Sequence, residues 1–374
     1  MVTGTFHNPN WYLSHMTPLT LSGFREIILV VDEPQLPLEK VTFVCPPKWI
    51  SKLLSRAGAK AIWMTITGLR YQPDLYMGYH LTPGACSALV AGKLFGRPSC
   101  YQMTSGPVGI IGGGIGAIDS VGGALGHPSK LIEAMAIKVV RQFELVVVRG
   151  NNAQEFLASH DIKETVAIIT GSVNSCPKIP QIDRVIHLIF VGRLSIIKQV
   201  HQFIEIVSAV RRIMPNIRAA IVGDGPLMSD LQNYAEELGL TNNIEFLGKR
   251  KDVDSILYNS QIFVLTSKSE GLSIAMAEAM AAGTVPVVAD VGDLRDLIID
   301  GVNGYLVKPN CIDEYTKKIM SLLQDPSLLE KYSFRAVEAA RTYCDIEVIS
   351  KKWQQNLQNV VLQTSALNPE KALN

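Results

Sequence analysis

Short runs of β-branched and aromatic residues recur along the chain, each followed by a turn and a stretch with helical spacing. They lie at 26–32 (EIILVVD), 40–45, 74–79, 98–104, 144–149 and 165–171. After a break they resume at 185–193 (VIHLIFVGR), 218–225, 243–248, 261–267, 285–290 and 304–307. An apolar run without alternation is a strand buried on both faces, as in a parallel sheet covered by helices. Regular alternation of such strands with helical stretches reads as repeated βαβ units. The pattern therefore predicts an α/β fold with two doubly wound, Rossmann-like domains.

The break itself, GSVNSCPKIPQIDR at 171–184, has two prolines, small polar residues and no periodicity, the marks of a linker. It places a first domain at 1–178 and a second at 179–344. The helical stretch that opens residues 345–374 is expected to pack back onto the first domain. Ligands of such sheets bind beyond the carboxyl ends of the strands, so the two domains are expected to face a cleft.

Bulk composition narrows the function. The 374 residues are 47% hydrophobic and 18% charged, a globular balance, and the net charge of +1 gives no argument for a nucleic-acid partner. Six scattered cysteines (45, 86, 100, 176, 311 and 344) form no CxxC pair and no zinc-ligand spacing with histidine, which fits a reducing compartment. The amino-terminal stretch lacks the basic and apolar regions of a signal peptide, and no apolar window is long enough for a membrane span. A cytoplasmic protein is expected, with contact at the inner face of a membrane left open.

The candidate chemistry sits at the strand ends of the second half. FVGRLSIIKQV offers Gly192, Arg193 and Lys198, two cations that suit a diphosphate beside helix amides; two solvated bases are the plainer reading. In IVGDGP, Gly223 and Gly225 flank Asp224, and glycines there let backbone come close to a ligand. In IEFLGKRKDVDSI the letters Asp252-x-Asp254 resemble a metal-binding pair, but acidic residues at a helix start are favoured by its dipole. SEGLSIAMAEAMAAGTVPVVAD then carries Glu270 and Glu278 with seven residues between them. It reads as a strand-end loop, a helix N-capped by Ser273, and a stop at Gly283. Carboxylates accept hydrogen bonds from hydroxyls, and the amides of Gly271, Leu272 and Ser273 suit an anion. A ligand with both phosphates and hydroxyls, such as a nucleotide sugar, satisfies the set.

SEGLSIAMAEAMAAGTVPVVADVGDLRDLIIDGVNGYLVKP resembles the signature of the retaining GT-B glycosyltransferases of the "glycosyl transferases group 1" family. VGRLSIIK, VGDGP and EFLG stand upstream in that family's order. The resemblance is close over about 185–310 and looser in the first half, through QPDLYMGYHLTPG and GRPSCYQMTSGP. It implies that Arg193 and Lys198 hold the donor diphosphate, with Gly192 and Gly223 in the loops beside it. It also implies that Glu278 binds the ribose, that Glu270 and the 271–273 amides meet the transferred sugar, and that backbone around Gly248 and Lys249 meets the base. His80 matches a histidine that reaches the donor sugar. The implied reaction retains anomeric configuration and needs neither cofactor nor bound metal. The implied partners are a nucleotide-sugar donor and a hydroxyl acceptor on a sugar, a lipid-linked or a small molecule.

The chain departs from that family at its start, where the first strand is short or missing and NPN replaces a glycine pair. Gly4, Asn10, His15 and Gly106 are the acceptor-side candidates. Gln199 stands where glycine is common, and Asp296 where glutamate is. The glycine-dense segment 106–129 reads as a mobile wall of the acceptor site or as a surface loop. In KWISKLLSRAGAK, Lys48, Lys52, Arg56 and Lys60 recur every four residues beside Trp49, Ile50, Leu53 and Leu54. Such a helix either packs its apolar face on the sheet or lies on an anionic membrane through 48–60. Two other readings of the chain remain: a nucleotide-sugar epimerase or hydrolase, and a non-catalytic nucleotide-sugar-binding protein. A dehydrogenase is disfavoured because VGRLSIIK is not a dinucleotide fingerprint.

Overall fold

The structure is a computed structural model that describes residues 1–6, 9–114, 127–173 and 184–367. The chain divides into two compact units, Met1–Ser172 with Ile346–Asn374, and Val173–Asp345. Both crossings lie together, because Val173 pairs with Asp345 in a β-bridge and donates its N–H to Cys344.

In the first unit the strands are β1 (Val2–Thr3), β2 (Ile27–Val30), β3 (Val41–Val44), β4 (Tyr76–Tyr79), β5 (Ser99–Gln102), β6 (Leu145–Val148) and β7 (Val166–Ile168). They form one parallel sheet in the order β3-β2-β1-β4-β5-β6-β7. The first strand is indeed short, two residues in the middle of the sheet, pairing with β2 and β4. The helices are α1 (Pro9–Leu21), α2 (Lys48–Tyr71), α3 (Cys86–Phe95), α4 (Lys130–Val140) and α5 (Asn151–Ala158). Pro9, from the NPN sequence, opens α1, where its missing N–H costs nothing.

Strand residues alternate between the two faces of this sheet. Tyr12, Met16 and Leu19 of α1 share one cluster with Met77, Cys100, Leu145 and Val147. Ile349, Trp353 and Leu357 of the final helix, α12 (Ile346–Leu367), join the same cluster. On the opposite face Met64 of α2 and Ala88 and Ala91 of α3 pack on Ile28, Val30 and Tyr76.

The second unit is a six-stranded parallel sheet, β10-β9-β8-β11-β12-β13. Its strands are β8 (Ile186–Val191), β9 (Ala219–Val222), β10 (Ile244–Gly248), β11 (Ser260–Leu265), β12 (Val285–Ala289) and β13 (Tyr305–Val307). Its helices are α6 (Val200–Arg211), α7 (Met228–Glu237), α8 (Val253–Tyr258), α9 (Ile274–Ala281), α10 (Ile312–Leu323) and α11 (Pro326–Cys344). Each of the twelve runs read from the sequence holds a strand. The helix packed beside β11 and β12 is rich in alanine because Met276, Ala277, Ala279 and Met280 are fully buried.

Two details differ from the sequence reading. Residues 48–60 are not one straight helix: Ser55, at φ 65° and ψ 162°, breaks α2. Lys60 leaves the basic stripe, only 5% exposed, with its ammonium 3.1 Å from Asp32. The Arg56 side chain and residues 115–126 of the glycine-rich segment lie outside the described residues. The start of that segment is packed: Ile110 is buried, and Gly112 donates its N–H to Glu133 at 2.7 Å.

Candidate functional site

A doubly wound sheet has a switch point, where successive connections run to opposite sides and open a crevice at the strand ends. In the second unit this falls between β8 and β11, and Lys198 and Glu270 stand at it. The Lys198 Nζ lies 2.5 Å from the Glu270 Oε1, across 72 residues of sequence. The hydroxyl of Ser267 donates to the same oxygen at 2.5 Å. Ser267 was not singled out in the sequence, because a serine in a strand-end loop has no distinguishing pattern.

The turn that carries Lys198 is fixed from β11. The hydroxyl of Thr266 donates to the carbonyls of Lys198 and Gln199 at 3.1 and 3.0 Å, and the Lys268 N–H donates to Ile197 at 2.8 Å. Lys198 lies in a 3-10 turn, Ile196–Lys198, ahead of α6. Gln199 separates the two in the left-handed region, φ 47° and ψ 44°. Glycine adopts that conformation without the Cβ clash, which explains why glycine is common there.

The glycines bring neighbouring strand ends together. A Cβ on Gly223, at φ 139°, would sit 1.8 Å from the Gly192 carbonyl oxygen, and one on Gly225 would sit 2.3 Å from that of Leu194. A Cβ on Gly292 would sit 1.9 Å from the Glu270 carbonyl. The Gly223 N–H donates to Gly248 at 2.8 Å. The loops after β10, β9, β8, β11 and β12 thus press on one another in sheet order. Gly223 and Gly225 let loop meet loop, a use that the sequence reading did not include. Gly248 has open space around it and a φ of 63°, with Lys249 exposed beside it.

Three sets of groups here have no partner among the described residues. Arg193 is exposed and has no ion pair among the described residues. The N–H groups of Gly271, Leu272 and Ser273 donate to no described residue, while the Ser273 hydroxyl caps α9 by accepting from Met276 at 3.3 Å. Glu278, one face of α9, is half-buried, and its carboxylate has no hydrogen-bond partner among the described residues. Burial, with Asp254 adding like charge, pushes its pKa up to about 8. Asp252 sits at the start of α8 as expected, but its side chain does not cap the helix. It takes both Nε and Nη2 of Arg250, at 2.8 and 2.7 Å. A nearby guanidinium outcompetes backbone amides for a carboxylate at an exposed turn.

The first unit has its own switch point, between β1 and β4, and Gly4 and His80 flank it. Gly4 is buried, and a Cβ there would lie 2.8 Å from that of Tyr79. The two residues line one recess with Thr3, Thr5, Thr82 and Lys60. His80 Nδ1 lies 3.1 Å from the Thr104 hydroxyl, and its ring runs nearly parallel to Trp11 at 6.2 Å. His15 is nearly fully buried, stacked on Trp11 at 4.3 Å, with Nδ1 2.8 Å from the Trp11 carbonyl. Burial and then Arg149 hold its pKa well below the usual histidine value. His15 thus packs as a neutral ring against Trp11. Asn10 is half-buried in the first turn of α1, and Gly106, buried at φ 62°, begins a separate 3-10 turn.

Comparison with known proteins bears on the second unit. Residues 177–341 match the family model described as "Glycosyl transferases group 1". The matched residues all fall within the second unit. The chain is 26% identical to the putative glycosyltransferase EpsD of Bacillus subtilis over 44% of its length and 43% of the relative's. It is 33% identical to the Escherichia coli UDP-Gal:alpha-D-GlcNAc-diphosphoundecaprenol alpha-1,3-galactosyltransferase over 37% of its length and 36% of the relative's. It is 32% identical to the exopolysaccharide phosphotransferase SCO2592 of Streptomyces coelicolor over 42% of its length, spanning 17% of the relative. The matches thus span less than half of these relatives. Among solved structures, Anabaena Alr3699/HepE in complex with UDP-glucose aligns at a TM-score of 0.76, with 18% identity over 96% of this chain and 99% of that one. The pneumococcal O-GlcNAc transferase GtfA in complex with UDP and GlcNAc aligns at 0.66, with 17% identity over 82% and 60%. The α/β fold is therefore of the GT-B type.

Proposed function

We propose that this protein is a retaining glycosyltransferase that moves a sugar from a nucleotide-diphosphate sugar to a hydroxyl acceptor in polysaccharide, glycolipid or glycoconjugate synthesis. The observation that carries the reading is the switch point of the second unit. A cation and a carboxylate meet there, beside an arginine, a set of amides and a half-buried carboxylate that have no partner among the described residues. Phosphates complement the first set and hydroxyls the second. The solved structures of similar fold that hold UDP or UDP-glucose, and the UDP-Gal donor in the E. coli relative's name, make uridine diphosphate sugars the first donors to try.

In this reaction the acceptor oxygen bonds to the anomeric carbon as the bond from that carbon to the diphosphate breaks. The acceptor's proton passes to the departing phosphate oxygen on the same face. Charge grows on the diphosphate, where Arg193 and Lys198 stabilise it. Lys198 exchanges its Glu270 partner for phosphate, which frees Glu270 to accept from the sugar's hydroxyls. Glu278 accepts from the ribose, and the base lies along Gly248 and Lys249. Two fixed cations supply the neutralisation that a divalent ion gives elsewhere, so activity is expected to survive EDTA. The acceptor is a sugar, a lipid-linked or a small molecule, and a lipid-linked one would bring the segment 48–60 near a membrane.

A thermal-shift panel of UDP-, GDP-, ADP- and TDP-sugars tests the donor reading. One base should raise the melting temperature by a few degrees, since a ligand at 100 times its Kd adds about 2.7 kcal/mol. No shift with any donor would refute it. Donor turnover without any acceptor would favour the epimerase or hydrolase reading instead.

A further inference from the structure

In the first unit α2 and α3 pack side by side on one face of the sheet, sharing the cluster of Met64, Ala88, Ala91 and Tyr76. Their opposite sides therefore face outward together. Those sides are apolar. On α2, Ile62, Ile66 and Leu69 recur at helical spacing and are 43%, 48% and 65% exposed. On α3, Val90 and Leu94, one turn apart, are 63% and 64% exposed. Before the break at Ser55, Trp49 and Leu53 are 67% and 75% exposed, also one turn apart. The sequence offered either an apolar face buried on the sheet or one turned outward, and the structure turns this one outward. A monomer rarely leaves that many large side chains uncovered in one region.

Charge narrows the occupant. Neither α2 nor α3 contains a single aspartate or glutamate, whereas the chain overall has 34 acidic residues against 35 lysines and arginines. Lys48 and Lys52 are exposed beside Trp49 and Leu53. Arg70, Lys93 and Arg97 are exposed at or just after the carboxyl ends of the two helices, with Arg97 3.9 Å from Asp74. A protein partner for this face would need an acidic rim of matched shape. A bilayer rich in anionic lipid supplies negative charge and an apolar interior in one plane, and tryptophan with lysine is the composition that settles at that boundary.

We propose that this face is a membrane-docking surface that takes the protein onto anionic phospholipid, with Trp49 and Leu53 entering the headgroup layer and Lys48 and Lys52 at the phosphates. The surface belongs to the first unit alone and stands whether or not the donor reading holds.

Flotation of the full chain with phosphatidylcholine vesicles, with and without 30% phosphatidylglycerol, tests it. Binding is expected only with the anionic lipid, falling several-fold between 0.1 and 0.5 M salt. The double variant Lys48→Glu with Lys52→Glu should weaken it at least tenfold. Leu53→Glu should do the same while leaving the melting temperature within a degree or two. Brominated lipid should quench the tryptophan emission of the wild type, and Trp49→Phe should remove most of that quenching. Absence of binding to anionic vesicles overturns the proposal. So does a chain that self-associates in sedimentation velocity and is made monomeric by Leu53→Glu without ever floating, because the face would then be an interface between copies.

Discussion

Replacing Glu278 by glutamine separates function from stability at one position. Its pKa of about 8 in the unliganded protein, against an ordinary 4.5, means that ionising it opposes the fold. The sign follows directly. Below about pH 4.5 the group is protonated in both states and costs nothing. The cost grows as pH rises from there and is complete above about 8. At pH 7 it is on the order of 3 kcal/mol as an upper figure, 1.36 kcal/mol for each of roughly 2.5 units. Glu278→Gln keeps the shape and removes the ionisation, so the unliganded variant should melt higher than wild type at pH 7–9 and converge with it near pH 4.5. Donor binding should show the converse. If the ribose needs the carboxylate, only about 9% of the protein is competent at pH 7 and about 90% at pH 9, so the apparent Kd should tighten roughly tenfold across that window. Calorimetric titration with the best donor from the panel, at pH 7, 8 and 9, reads this, since the donor's diphosphate has no ionisation there. Glu278→Gln should bind weakly and without that slope. A variant that melts no higher than wild type, together with a wild-type affinity flat in pH, would refute the reasoning.

Lys198→Ala should cut kcat/KM by about 10²–10³ if it stabilises the leaving diphosphate. It should also lower stability by about 1–3 kcal/mol, because Glu270, with only 10% of its side chain exposed, loses its cation; Glu270→Gln in the same chain should restore the stability and not the rate. Gly292→Ala should destabilise the chain by at least about 3 kcal/mol in urea melts, as φ 59° and a Cβ 1.9 Å from the Glu270 carbonyl both oppose it. Gln199→Gly should be neutral or stabilising by up to about 1 kcal/mol by the same measure, since it relieves a left-handed residue at the cost of unfolded-state entropy. EDTA should leave transfer unchanged; loss of activity with rescue by Mn²⁺ would overturn the metal-free mechanism.

The strands were legible because each is buried on both faces, so an apolar run marks it without help from distant residues. The α9 segment was legible for a related reason. Ser273 before it, small residues within it and Gly283 after it each answer a local demand, and Glu270 and Glu278 stand out against so apolar a background. What depends on residues far apart in sequence was not legible. No local pattern joins Lys198 to Glu270 or points to Ser267 and Thr266 as the hydroxyls that hold them. The glycines at 223 and 225 were visible as turn residues, yet only the packed sheet shows that each makes room for a neighbouring loop's carbonyl. The same holds for Lys60, which repeats with Lys48 and Lys52 in the sequence but is turned inward to Asp32 once Ser55 breaks the helix. Sequence by itself determined the α/β class and the strand ends that carry the chemistry, because burial and turn conformation are local requirements. Tertiary structure decided which side chains are paired, which stand without a partner and which apolar face is left open, because those follow from where the sheet order sets one loop against another.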